Sequence, residues 1–175
     1  MSNLHEIITQ AEDTLGFPSD VRLSSPHLAA QVALGAALSG ERHVASALLA
    51  DVADSHGMPG MIMVTQLLAQ QLAAVLRLQG QSAGPVTVPV DDTKIGNADD
   101  RAMVHSSAKA ASLLISGHAA GDSDQVTQGL SLMKEQDGVA LSTSVLVLMV
   151  TATHLRHVED TMSQARAAWV EFDND

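Results

Sequence analysis

Apolar residues recur at helical spacing along almost the whole chain, broken by short Gly- and Pro-containing turns. In residues 2–15, Leu4, Ile7, Ile8, Ala11 and Leu15 share one face, while Glu6, Glu12 and Asp13 lie elsewhere, which predicts a short amphipathic helix. Gly16, Phe17 and Pro18 end it, and residues 19–25 form a connector. Ser25-Pro26 pairs an N-cap hydroxyl with a first-turn proline and starts a helix to about Leu38, carrying Leu28, Val32 and Leu34 among alanines. Ser39-Gly40 stops it. A helix from Glu41 to about Asp54 follows, burying Val44, Ala47, Leu48 and Ala50 or Val52, and His56-Gly57 makes its C-terminal turn. Met58-Pro59-Gly60 opens a long helix to about Gln79. Its broad face of Met61, Val64, Leu67, Leu68, Leu72, Val75, Leu76 and Leu78 predicts deep packing.

Residues 80–92 break the period. Val86, Val88 and Val90 alternate as in a strand, but Pro85 and Pro89 favour an extended connector. Beyond it, Asn97 or Asp99 caps a helix from Asp100 to about Ser116, and residues 117–121 (Gly-His-Ala-Ala-Gly) read as a turn. Ser123 or Asp124 starts the next helix, which ends at Gln136-Asp137-Gly138. Residues from Val139 to about Phe172 are helical again, with a bend expected near Thr151 or His157 and fraying at the acidic end, residues 171–175. The organisation expected is therefore residues 1–24 as an N-terminal helix and connector, 25–80 as a first helical repeat, 81–96 as a linker, and 97–175 as a second repeat with an acidic tail.

The two repeats are visible in sequence. Val44 matches Val126 and Leu48 matches Leu130, both at an offset of 82 residues. Each copy follows a small-residue helix and precedes a turn into a very apolar helix. A chain that repeats one helical unit is built by stacking two halves. The fold class expected is all-α, a pseudo-two-fold double repeat with an extra N-terminal helix.

Composition narrows this further. The chain has 175 residues, 46% hydrophobic but only 2% aromatic, so its core must be aliphatic, alanine and methionine. A net charge of −11 argues against nucleic acid and against an anionic membrane surface, and suits a cytoplasmic protein able to attract basic or unfolded peptides. There is no Cys, hence no disulfide and no thiolate chemistry. The first residues lack a basic start with an apolar core, and the apolar stretches are interrupted by Gln, Thr, Ser or His, so neither signal peptide nor membrane span is expected.

Several segments together resemble the Clp N-terminal domain, the helical substrate-receiving module of Clp ATPases. Asp99-Asp100-Arg101-Ala102 stands at the family's opening helix cap, Gly117-His118 at its Gly-His turn, Ser123-Asp124-Gln125 at its Thr-Glu-His segment, and Gln136-Asp137-Gly138-Val139-Ala140 at its closing turn. In the first half, Ser25-Pro26-His27-Leu28 resembles the cap and residues 43–49 (His-Val-Ala-Ser-Ala-Leu-Leu) the Leu-rich helix. The resemblance spans roughly residues 25–165. It departs from the family in four places: a shortened turn at Ser39-Gly40, a long linker, an additional helix at residues 2–15, and no Gly break between third and fourth helices in either half. The chain contains no Gly-x-x-x-x-Gly-Lys-Ser/Thr phosphate loop, so the resemblance implies a stand-alone domain without the ATPase.

The resemblance implies non-enzymatic protein or peptide recognition, with a Clp machine component or its substrates as partners. In some family members the Glu of Thr-Glu-His helps to bind phosphoarginine. The positions matched to it are Arg42, which inverts the charge, and Asp124, which keeps a carboxylate but equally suits a helix N-cap. The peptide-contact candidates are Glu41, Arg42, His43, Ser123, Asp124 and Gln125. The alternative is a helical structural or regulatory protein acting through homo-oligomerisation, as a homodimer.

Other constellations are weaker. His154 and His157 lie three apart near Glu159 and Asp160, but a metal site needs further ligands such as His43, His105 or His118, and no ligand spacing links them. Gly-x-Ser-x-Gly is absent, and the carboxylate pairs Asp91-Asp92, Asp99-Asp100 and Glu159-Asp160 read as capping or solvated charge. Met58, Met61, Met63, Met103, Met133, Met149 and Met162 suit an adaptable groove, or a core short of aromatics. No catalytic residue, metal or cofactor is expected.

Overall fold

The fold is that of a computed structural model describing residues 25–81 and 84–172. The expected helix at residues 2–15 and the last residues of the acidic end lie outside that range. Among the described residues there are five α-helices and no strand. These are α1 (Pro26–Leu38), α2 (Arg42–Leu78), α3 (Ala98–Ala120), α4 (Ser123–Glu135) and α5 (Asp137–Phe172), with a 3-10 turn at Asp92–Lys94.

Glycine sets the breaks. α2 is two helical arms meeting at Gly57, whose φ of 57° and ψ of −153° are open to a residue without Cβ. Pro59 then falls in the first turn of the second arm, where its missing N–H removes no helical bond. Gly40 and Gly121 take φ of 86° and 72°, and each closes its helix with the same bond. The Glu41 N–H donates to Ala36 O at 2.8 Å, and the Asp122 N–H to Gly117 O at 2.8 Å.

That shared geometry corrects the alignment of the halves. Glu41 and Asp122 are the matching N-caps, so the register here is 81, not 82. Burial agrees. Leu48 and Val52 are buried in α2, and Gly129 and Met133, each 81 positions on, are buried in α4. The apparent match of Val44 with Val126 is a one-residue slip, since this register pairs Val44 with Gln125 and Ala45 with Val126.

Gly117 and His118 also move. They lie inside α3, which continues to Ala120, and the turn is Gly121-Asp122. Gly117 serves packing, not turning: a Cβ there would come within 2.8 Å of Val126 Cγ2 and 2.9 Å of Asp122 O. Gly129 does the same from α4, where a Cβ would meet Leu114 Cγ at 2.8 Å. These two bare positions let α3 and α4 approach closely.

The second arm of α2 and α5 form the centre. Each is a single helix with no glycine break along its length. Gly60, Met61, Val64, Thr65, Leu68, Ala69, Leu72 and Ala73 are buried on α2. Val139, Ala140, Thr143, Ser144, Val147, Leu148, Thr151 and Ala152 are buried on α5, each 79 positions later. Thr65 meets its counterpart Ser144, hydroxyl to hydroxyl, at 2.5 Å. α1 packs on α2 and α5, and α4 on α3 and α5, while α3 also packs on α2.

Two arginines tie the halves reciprocally. Arg77 of α2 donates to Ala119 O (3.0 Å) and His118 O at the end of α3. Arg156 of α5 donates to Ala37 O (2.9 Å) and Leu38 O (2.7 Å) at the end of α1. Each guanidinium binds carbonyls in the last turn of a helix, where the positive charge also meets the negative end of the helix; Ala37 O accepts from the Gly40 N–H as well.

The connector is extended and makes no strand, and the Val86 and Val88 N–H groups donate to Ser116 Oγ (2.8 Å) and Ser112 Oγ (3.2 Å), one turn apart on α3. Val88 is buried beneath it. α2 and the segment Gly138–Gln164 are long and apolar enough to cross a membrane by length and composition. In this fold their apolar faces are the ones buried at the centre.

Candidate functional site

A groove of about 390 Å³ opens where the two halves meet. Its walls are the end of α1 at Ala37, the start of α2 at Arg42, linker residues 86–89, and one face of α5. Leu146, Met149, Val150 and Ala152 give an apolar floor, and Thr153, His154 and Arg156 give polar edges. This size and this mix of apolar floor with few polar groups suit a small ligand or a short peptide.

The site exists because α5 outlasts the core it shares with α2. Past Thr151 and Ala152, both buried, α5 runs out beside the α1–α2 turn, and Arg156 anchors it there through the α1 carbonyls. The linker then forms the opposite wall, because its alternate N–H groups are taken up by α3 serines.

Charge in the groove is one-sided. Among the described residues no Asp or Glu lines it, although the chain carries 20 acidic residues against 9 Lys and Arg. Arg42 is exposed and, among the described residues, has no hydrogen-bond or ion-pair partner. His154 Nδ1 lies 3.1 Å from Val150 O. A carbonyl can only accept, so Nδ1 is the donor in this contact.

The helix start at Arg42 is also left open. Glu41 is its N-cap but makes no side-chain cap hydrogen bond. At the matching start of α4, Asp122 Oδ1 accepts from the Asp124 N–H (3.0 Å) and the Gln125 N–H (3.1 Å). The cap of α4 is thus Asp122, and Ser123 and Asp124 lie one and two residues inside the helix.

Of the six candidate contacts, Arg42 lines the groove. Glu41 and His43 are exposed beside it at the start of α2, whereas Ser123, Asp124 and Gln125 stand at the start of α4 and contribute nothing to this groove. The register of 81 pairs Arg42 with Ser123, and Glu41 with Asp122. The proposed contrast of Arg42 against Asp124 therefore compared positions that are not equivalent, and both halves keep a carboxylate at the cap. Sequence reasoning missed Thr87, Val150, Thr153 and Arg156, and singled out His154 only as a metal ligand. A usable signal was present for one of them: Arg156 is the first Lys or Arg after a long run without Asp, Glu, Lys or Arg.

The counterpart of Ala37 in the second half is His118. Burial pushes its pKa down, and the Arg77 guanidinium lowers it further. Its Nε2 is buried without a hydrogen-bond partner, as is Gln71 Oε1. Elsewhere, His105 Nε2 pairs with Asp92 Oδ1 at 2.8 Å on the surface. Among the described residues no three of His, Asp and Glu are grouped as metal ligands would be. The methionines divide: Met61 and Met133 are core, Met149 lies in the groove, and Met63 and Met162 are exposed.

Comparison with protein-family models, with curated protein sequences and with solved structures returns no significant match.

Proposed function

We propose that this chain is a non-enzymatic protein- or peptide-recognition module, built as two Clp-type helical repeats about a pseudo-two-fold axis. Three features support the architecture. The same order of helix, Gly turn, helix, break and long helix occurs twice. The two long helices bury the same register 79 positions apart, with Thr65 against Ser144 where an axis would pass. Arg77 and Arg156, also 79 apart, exchange equivalent contacts with the opposite half.

The observation that carries the functional reading is the groove at residues 37, 42, 86–89 and 146–156: apolar, open and edged with a few polar side chains. An extended peptide is the ligand such a shape suits. A cytoplasmic location and protein partners belong to the same reading.

A peptide-array screen with purified protein tests it. Thr153 is exposed on the groove's rim, so Thr153→Trp should fill the groove and abolish peptide binding while leaving the melting temperature unchanged. Peptide binding undiminished in this variant, or measurable ATP turnover by purified protein, would sink the proposal.

A further inference from the structure

We propose that the groove selects acidic peptides: an extended segment bearing an aspartate or glutamate beside aliphatic residues, its carboxylate held by Arg42. This rests on the reading of the groove as a peptide site and deepens it.

The argument starts from charge. An acidic chain of net −11 would by itself draw basic ligands, yet among the described residues none that lines this groove is acidic. It collects Arg42, Arg156 and His154 from two different helices instead. Arg156 is committed to the α1 carbonyls, and Nδ1 of His154 to its own helix. Arg42 alone has all its donors available among the described residues. A guanidinium presents a planar fork that takes a carboxylate through two parallel hydrogen bonds.

A second feature points to the same sign. Arg42 and His43 are the first residues of α2, and the Glu41 side chain does not cap them. Their N–H groups add the positive end of a helix to the guanidinium. α4 lacks this opening, because Asp122 already supplies a carboxylate to its first turn.

The floor decides the rest of the ligand. Leu146, Met149 and Val150 sit within the same groove as Val86 and Val88. An extended peptide places alternate side chains on opposite sides. Aliphatic residues on either side of the acidic one therefore point together to the side away from the carboxylate, onto this apolar lining.

Fluorescence polarisation with three labelled octapeptides tests this: alternating leucine–aspartate, leucine–glutamine and leucine–lysine. The leucine–aspartate probe should bind at least ten-fold more tightly than leucine–lysine, against the overall field of the protein. Arg42→Glu should weaken it at least ten-fold, and Arg42→Lys by less. Should Arg42→Glu fail to fold by circular dichroism, Thr153→Glu places the same charge on the opposite wall and should also weaken it ten-fold. Leucine–lysine or leucine–glutamine binding as tightly as leucine–aspartate overturns the charge preference but keeps a peptide site. Unchanged affinity in the folded charge-reversal variant likewise overturns the preference. Absence of binding by all three probes overturns both.

Discussion

Thr65 and Ser144 join their hydroxyls at 2.5 Å, fully buried, where the two long helices cross. Each hydroxyl also faces its own helix: Thr65 Oγ1 is 2.7 Å from Met61 O, and Ser144 Oγ is 2.9 Å from Ala140 O. Each has one proton, so when one hydroxyl donates to its own helix the other must donate across. The contact is therefore polar, satisfied and specific to one register of α2 on α5.

This predicts a measurable coupling. Thr65→Val and Ser144→Ala should each destabilise by about 1–2 kcal/mol in urea unfolding, because a buried hydroxyl loses a partner. The double variant should cost less than the two singles added, leaving a coupling of about 0.5–1.5 kcal/mol. Strict additivity would show that the hydroxyls do not interact.

The two arginine caps should behave as a pair. Arg77→Ala and Arg156→Ala each free helix-terminal carbonyls and should each lower stability by about 1–2 kcal/mol. Lysine at either site should restore only part: Arg77 reaches its two carbonyls through two nitrogens, Nε and Nη2, and Arg156 through Nη2 at the far end of its guanidinium, and a single ammonium matches neither placement. Chemical denaturation of the four variants checks both statements. A variant series in which only one of the two sites matters would contradict the reciprocal arrangement.

Three glycines separate turning from packing. Gly117→Ala should destabilise by about 1–3 kcal/mol, since its Cβ would press on Val126 and on the Asp122 carbonyl. Gly35→Ala should stabilise by about 0.5–1 kcal/mol, because nothing lies within 4 Å of the new methyl and the helix gains propensity. Gly121→Ala should cost about 1 kcal/mol through its φ of 72° alone, with open space around it. Melting temperatures of the three proteins check the order.

His118 should make stability depend on pH. Its pKa in the fold lies below the ordinary value of 6.5, through burial and the nearby Arg77. The unfolded chain therefore takes up this proton first as pH falls. Stability from this group is complete above about pH 6.5, declines as pH drops below it, and levels off once the folded form is protonated too. In His118→Gln, the fall in melting temperature between pH 7.5 and 5 should be smaller than in the parent. An equal fall would place the acid sensitivity elsewhere.

Most of the described helices and breaks were legible in the sequence because their causes are local, the exception being residues 117–120, which continue α3 instead of turning. Pro26 and Pro59 open helices by their fixed φ, and Gly40 and Gly57 end them by reaching conformations that other residues avoid. The linker was legible for the same reason, through Pro85 and Pro89. The candidate site was less so. Arg42 was named on sequence grounds, but its opposite wall comes from α5, more than a hundred positions away.

By itself, then, the sequence determined an all-helical chain of two similarly ordered halves, since caps, glycines and apolar period act over a few residues. Only the tertiary structure decided how the halves correspond. The offset is 81 at the turns and 79 in the long helices, because the first arm of α2 runs two residues longer than α4 before its break, at Gly57 against Gln136. No gapless match of one sequence half to the other can hold both values. The contacts that settle it, Thr65 with Ser144 and Arg156 with Ala37, join residues that chain proximity never brings together, and only burial and hydrogen bonding across the core select them.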